Sequence, residues 1–284
     1  MDALYPVRVG TQTWSFAKGH GTRNDFVILP DLGGVLDLTP AVVAYLCDRR
    51  SGIGADGVLR VVKASAIENS GFEPDAWFMD YRNADGSIAE MCGNGLRVFA
   101  RYLAEEGLTS EPEITIATRA GLRWARLCDD GRVTVGMGPV TVGVATAGRL
   151  GERTYEGVAV DVGNPHLVTC VATAAEVSDA ELRDPFVADQ GVFPHGVNFE
   201  LVHVVGDRHA VMRVLERGVG ETEACGTGAV AVARVVNGDG PGTVRVDLRG
   251  GSVDVTFAAD GTATLTGPAV ILARGEVLVP DGTA

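Results

Sequence analysis

The chain has 284 residues, ordinary hydrophobic content and a formal net charge of −13, enough for one large domain or two of usual size. Its acidity argues against nucleic acid or an anionic membrane as partner, no apolar run reaches the length of a membrane span, and Met1 to Lys18 lacks the layout of a signal peptide. The expectation is a soluble, cytoplasmic protein.

In chain order, residues 1–13 read as a loose lead-in or a strand that starts late. Trp14–Lys18 and Val27–Leu29 follow as short strands, separated by a Gly-rich loop with a polar tip. Thr39-Pro40 opens a helix to Asp48, Thr as N-cap and Pro in the first turn. A glycine-rich connection, Gly52–Gly57, leads into a strand over Val58–Val62. Ala76–Tyr81 is a strand, Asn83-Ala84-Asp85-Gly86 a turn, and Ser87–Met91 a short strand feeding Cys92. A helix runs from there to about Glu106. Ile114–Ala117, Leu122–Leu127 and Val133–Val135 form a three-stranded meander. Past Gly136–Pro139 the order repeats: strands at Gly157–Val162 and Leu167–Val171, a helix from about Ser178, strands at Val197–Val204 and His209–Leu215, and a helix headed by Cys225 that ends at Asn237-Gly238. Three strands, Thr243–Leu248, Ser252–Phe257 and Thr262–Thr266, close the second half, and Ala269–Val279 crosses back to the first.

The repeat is sharpest at two corners. Met91-Cys92-Gly93-Asn94-Gly95 and Ala224-Cys225-Gly226-Thr227-Gly228 each place a cysteine and two glycines ahead of an apolar run ending in Ala-Arg. The cysteines are 133 residues apart, and Asn83 and Glu216 each stand nine residues upstream of one. An internal duplication accounts for this. The fold it implies is α/β of the α+β type: two pseudo-symmetric domains, each a mostly antiparallel sheet wrapped around a central helix, with the active site in the cleft between them. The division is residues 1–138, with 270–284 returning to that half, and 139–269.

A helix start carries unpaired N–H groups and partial positive charge. A cysteine there tends toward a lowered pKa, and glycines let an anion approach the backbone. Two such corners facing one small carboxylate would place a thiol on either side of its α-carbon, one to remove a proton and one to deliver it: a racemase or epimerase. No nucleotide or pyridoxal motif competes, so no cofactor is expected. The count of five cysteines is odd and their spacing wide, which excludes a disulfide framework. With no CxxC and no histidine beside either corner, no metal site is expected. Cys47, Cys128 and Cys170 read as small buried apolar residues.

These residues bring the chain to a family. Over nearly its whole length it resembles diaminopimelate epimerase, in Lys18–Val27, Gly52–Gly57, Asn83–Ser87, Met91–Arg97, Gly163-Asn164-Pro165-His166, Val197-Asn198-Phe199 and Glu216–Thr222 into Ala224–Gly228. The resemblance implies cofactor-independent interconversion of LL- and meso-diaminopimelate, in lysine and peptidoglycan precursor synthesis, by a homodimer. It implies Cys92 and Cys225 as paired base and acid. Gly93, Asn94, Gly226 and Thr227 would bind the reacting carboxylate, and Asn83, Asn164, Asn198 and Arg217 the distal end of the substrate. His166 and Glu216 would orient the reacting ammonium and the thiols, and Asn24 would contact substrate or cleft wall. Two positions depart from the family: Arg23, often Gly, and Gly57, in some members a Gln that touches substrate. Taken without the family, Asn83 and Asn164 are turn formers and Glu216-Arg217 could be a surface ion pair. A proline racemase-like enzyme and a non-catalytic amino-acid-binding protein remain as alternatives.

Overall fold

The computed structural model describes residues 11–183 and 185–280. Residues 1–10, most of the expected lead-in, lie outside the described residues. The first half contains β1 (Thr11–Gly21), β2 (Asn24–Pro30), α1 (Pro40–Cys47), β3 (Gly57–Lys63), β4 (Trp77–Asn83), α2 (Gly93–Glu105), β5 (Glu113–Thr118), β6 (Gly121–Leu127) and β7 (Val133–Pro139). The second contains β8 (Thr141–Leu150), β9 (Arg153–Asp161), β10 (Pro165–Val171), α3 (Ala174–Ser178), β11 (Phe186–Ala188), β12 (Asn198–Gly206), β13 (His209–Glu216), β14 (Gly220–Thr222), α4 (Gly226–Asn237), β15 (Gly242–Leu248), β16 (Gly251–Phe257) and β17 (Thr262–Gly267). The last strand, β18 (Val270–Pro280), lies antiparallel to β1.

The duplication is written in the strand pairing. From β1 through β2, β3, β4, β5, β6 to β7 the pairs are antiparallel, parallel, antiparallel, parallel, antiparallel, antiparallel. From β9 through β10, β12, β13, β15, β16 to β17 the series is the same. The two series join where β7 pairs with β17, Val135 opposite Leu265. Register makes positions equivalent: Phe26 opposite Gly57 in the first half corresponds to His166 opposite Asn198 in the second.

Each strand's period of two feeds two layers. On β2, Phe26 and Ile28 face the cluster around α2, while Val27 and Leu29 face Val42, Val43 and Leu46 of α1. Leu96, Val98, Phe99 and Leu103 of α2 are fully buried, as are Val230 to Ala233 of α4, so both central helices lie in one continuous apolar cluster. A separate cluster covers the outer face of the second half: Val177 and Phe193 over Leu167, Phe199 and Leu201.

Several expectations fail for physical reasons. The polar loop after Lys18 is a tight hairpin, with Thr22 and Arg23 both at positive φ (50° and 63°), the twist that suits a two-residue turn. Ser87–Met91 is not a strand; a single bridge joins Ile88 to Arg82, because the chain leaves the sheet at once to cap α2. The expected helix from Ser178 instead ends there: α3 starts after Thr173, whose side chain forms a capping box with Glu176. β8 had no signal, because its Val142 and Val144 lie exposed. Cys47 is buried but Cys128 is half-buried and Cys170 exposed, so only one of the three behaves as a core residue. Gly57 has no room for a side chain: a Cβ there would meet the Arg82 carbonyl oxygen at 2.5 Å.

Candidate active site

Cys92 and Cys225 occupy the same place in their halves. Each is the extended N-cap residue of a central helix (φ −142°, ψ 122° and φ −121°, ψ 117°), and each sulfur accepts the N–H three residues on, from Gly95 and Gly228, at 3.4 Å. The two helix starts abut. A Cβ on Gly226 would lie 3.8 Å from Gly93 Cα, and Asn94 Nδ2 of α2 donates to the Ala224 carbonyl just ahead of Cys225 at 3.3 Å. The first N–H groups of both helices, including those of Gly93, Asn94, Gly226 and Thr227, have no partner within their own helix, so two positive helix ends converge on one place.

Around Cys92, the hairpin turn supplies the framework. Asn24 Oδ1 faces the Cys92 thiol at 3.6 Å and accepts from Asn94 Nδ2 at 3.2 Å. Its amide nitrogen is tied to Asp56 at 2.9 Å, and Asp56 in turn to Arg49. Asp56 thus positions rather than reacts. Thr22 is buried at a φ that β-branched residues avoid; Arg97 Nη2 donates to its hydroxyl (3.2 Å), which donates to Asn94 Oδ1 (3.3 Å). Arg97 is fully buried and, among the described residues, donates to neutral acceptors: Thr22, Asn94 Oδ1 (2.8 Å) and the carbonyls of Gly93 and Pro268. Burial lowers its pKa to about 10. Arg23, the second turn residue, makes an exposed ion pair with Glu223 across to the other half.

Around Cys225 the groups are ionisable. Its sulfur lies 3.4 Å from Thr227 Oγ1. Asn164 Nδ2 donates to that hydroxyl at 3.3 Å, Asn164 Oδ1 is 3.0 Å from His166 Nε2, and His166 Nδ1 is 2.6 Å from Glu200 Oε1. Glu216 accepts from Thr222 at 2.5 Å, and burial pushes it up despite the hydrogen bonds from Thr222 and Cys225. Sequence reasoning gave no role to Glu200, nor to Thr22 and Arg97, although these two stand within the matched stretches Lys18–Val27 and Met91–Arg97. A charged residue at an inward position of a strand pattern is the only hint Glu200 gives.

The expected lowering of the thiol pKa values does not occur. Burial pushes Cys92 up, only partly offset by the N–H groups of Gly95 and Asn94 and by Arg97. Burial, then the charges of Glu216 and Glu200, push Cys225 well above the usual thiol range. The helix-start effect is present but loses to desolvation.

The residues expected at the distal end divide. Asn164 belongs to the line behind Cys225. Arg217 is exposed, its guanidinium donating to the His195 carbonyl at 3.0 Å; with Glu216, Gly196 and Gly218 it lines a cavity of about 100 Å³. Asn198 is tied at both ends of its amide, to the Pro165 carbonyl and the Arg217 N–H, and so braces backbone, while Asn83 donates to the Ser87 hydroxyl within its own turn. A larger cavity of about 330 Å³, between Trp124, Met137 and Gly163, contains neither thiol. Among the described residues no cluster of His, Cys, Asp and Glu is placed to hold a metal ion.

A doubled, sheet-dominated α+β chain of this kind has the fold of the epimerase and PhzF-like proteins. Over 94% of this chain and 100% of the other, it superposes on a Bacillus anthracis phenazine biosynthesis protein of the PhzF family with a TM-score of 0.69 at 17% identity. Over 95% and 94%, it superposes on a hydroxyproline epimerase from Agrobacterium vitis with a TM-score of 0.65 at 14% identity. At such identities the likeness is one of fold. The sequence is more particular: residues 16–143 and 158–272 match the family model for diaminopimelate epimerase. Diaminopimelate epimerases of Corynebacterium glutamicum (51% identical, 94% of this chain and 99% of that one) and Streptomyces coelicolor (49%, 92% and 94%) align along nearly their full length. The chain belongs to the diaminopimelate epimerase family, a family of isomerases.

Proposed function

We propose that this protein interconverts LL- and meso-diaminopimelate without a cofactor, Cys92 and Cys225 exchanging the α-proton across the substrate. The observation that carries the reading is the abutment of the two cysteine-capped helix starts, Gly93 against Gly226 and Asn94 onto Ala224. The reacting carboxylate sits on the N–H groups of Gly93, Asn94, Gly226 and Thr227. One thiolate removes the α-proton, the developing charge spreads onto that carboxylate, and the opposite thiol delivers a proton to the other face; the reverse reaction exchanges the roles. General base catalysis supplies about 10²–10⁴-fold, too little for so weak a carbon acid. The preorganised donors supply the remainder, about 10²–10³-fold for each one of this kind. Raised thiol pKa values suit the task, because a more basic thiolate is a better match for a weakly acidic carbon.

In this reading His166 and Glu216 set the orientation of the thiols and the reacting ammonium, and Asn24 fixes the Cys92 side. Asn83, Asn164, Asn198 and Arg217 frame the distal end, with Arg217 the group that reads its carboxylate. An exposed guanidinium at this edge suits a substrate with a second charged end, which proline lacks. The halves 1–138 with 270–284 and 139–269 act as two domains about the cleft, in a cytoplasmic homodimer. Incubating the protein with LL-diaminopimelate in deuterated water, with no added cofactor, should give the meso isomer carrying solvent deuterium at the α-carbon. Cys92→Ala and Cys225→Ala should each abolish this while remaining folded; wild-type epimerisation by either would refute the two-thiol assignment.

A further inference from the structure

The two thiols are twins in backbone geometry but not in what stands behind them. The register that equates Phe26 with His166 also equates Leu59, opposite Ile28, with Glu200, opposite Val168. In the first half this inward-facing pair is apolar: Phe26 and Leu59, both fully buried, lie beneath Gly95 at the start of α2. In the second half the same two positions hold His166 and Glu200, both 0% exposed and 2.6 Å apart. A buried carboxyl is expensive unless fully satisfied, yet among the described residues Glu200 Oε2 has no hydrogen-bond partner. A sheet that solves the same packing problem with Phe and Leu once has no packing reason for His and Glu the second time.

The line from this pair ends on a sulfur. Asn164 donates its Nδ2 to Thr227, so its Oδ1 is left to accept, and His166 Nε2 must carry a hydrogen. A single proton is then shared between His166 Nδ1 and Glu200 Oε1. Thr227, already accepting from Asn164, keeps its own O–H and one lone pair for Cys225. It can therefore accept from the thiol or donate to the thiolate. Resting on the two-thiol reading above, we propose that Glu200 is a positioning residue for the reaction, holding His166, and through Asn164 and Thr227 setting the hydrogen bonding of Cys225 while leaving Cys92 untouched.

The groups facing Cys225 are Glu216 from β13, Glu200 from β12, and Thr227 with the Gly228 N–H of its own helix; those facing His166 are Glu200 and Glu216. The test uses Glu200→Gln, Glu200→Asp and the double variant His166→Phe/Glu200→Leu, which copies the apolar pair of the first half. Two quantities are read: kcat and KM for diaminopimelate in both directions, and the pH dependence of iodoacetamide alkylation at each cysteine by peptide mass spectrometry. Glu200→Gln should lower kcat about 10–100-fold, on the scale of the loss when the outer partner of a metal-bound histidine is removed, with KM little changed. Glu200→Asp should recover part of it. The alkylation midpoint of Cys225 should move in both Gln and double variants, and that of Cys92 should not. Wild-type kcat in folded Glu200→Gln, or equal movement at both cysteines, would overturn the proposal. If the wild-type protein does not epimerise diaminopimelate but only the Cys225 midpoint moves, the Glu200 line stands and the substrate assignment falls.

Discussion

Gly95 and Gly228 hold the same position, third in their helices, and substituting each with alanine separates helix stability from site geometry. Neither has positive φ, so the backbone accepts alanine, and helix propensity alone favours the change by up to ~1 kcal/mol. The surroundings differ. A Cβ on Gly95 would lie 3.1 Å from Leu59 Cδ2 and 3.6 Å from Phe26 Cζ, the ends of side chains that can yield by a few tenths of an ångström. A Cβ on Gly228 would lie 2.7 Å from Glu200 Oε1, closer than any real contact, against a carboxyl already held by His166. Overpacking of that kind costs about 1–3 kcal/mol, so Gly228→Ala should be net destabilised by about 0–2 kcal/mol and Gly95→Ala neutral to slightly stabilised. At about 2–4 °C per kcal/mol, differential scanning calorimetry resolves the two. Activity should separate them further: Gly228→Ala should lose about 10–100-fold in kcat as Glu200 is pushed off His166, and Gly95→Ala far less. A Gly228→Ala protein that melts above wild type and retains full kcat would show that the space behind α4 is not closed as described.

Cys92→Ser and Cys225→Ser should keep the N-cap hydrogen bond and melt above the corresponding alanine variants by about 0.5–2 kcal/mol, yet lose epimerase activity by at least about 10²–10⁴-fold; serine variants as active as wild type would refute proton transfer by sulfur. Because burial raises both thiols, each stays protonated to higher pH than a free cysteine, so kcat/KM should climb as pH rises from 6 to 8; a flat profile would mean that the thiolate is already formed at pH 6. Asp247 is held at about 2, its partial burial outweighed by hydrogen bonds from Ser252, His209 and Arg245. A depressed carboxylate stabilises the fold above its unfolded pKa near 4 and loses that contribution as pH falls toward 2. Asp247→Asn should therefore lower stability by about 1–2 kcal/mol at pH 7, discounted for partial exposure, and by little near pH 2; an equal loss at both would contradict the linkage.

The doubled architecture, the two central helices and their cysteine caps were legible in the amino-acid sequence alone. These follow from local signals: a Cys-Gly-x-Gly frame ahead of an uninterrupted apolar run, Thr39-Pro40 at a helix start, alternating apolar strands. The sequence carried the candidate thiols for the same reason, since a repeated corner is visible without any tertiary contact. What it could not carry were properties that depend on what lies across space. The helix-start argument for acidic thiols is local and correct in sign, but desolvation depends on how many neighbours enclose the sulfur, and it outweighs the local effect. Thr22 and Arg97 meet 75 residues apart in sequence, and Glu200 meets His166 only because two parallel strands align in one register. Asn83, Asn164 and Asn198 look alike as polar residues beside turns, and only folded distances separate the Asn83 amide on its own turn's Ser87 and the Asn198 amide on backbone from Asn164, whose amide continues a line to sulfur. The pairing of β7 with β17 brings the halves together, and no residue in either strand announces it, because a sheet edge chooses its partner by what the rest of the chain leaves beside it.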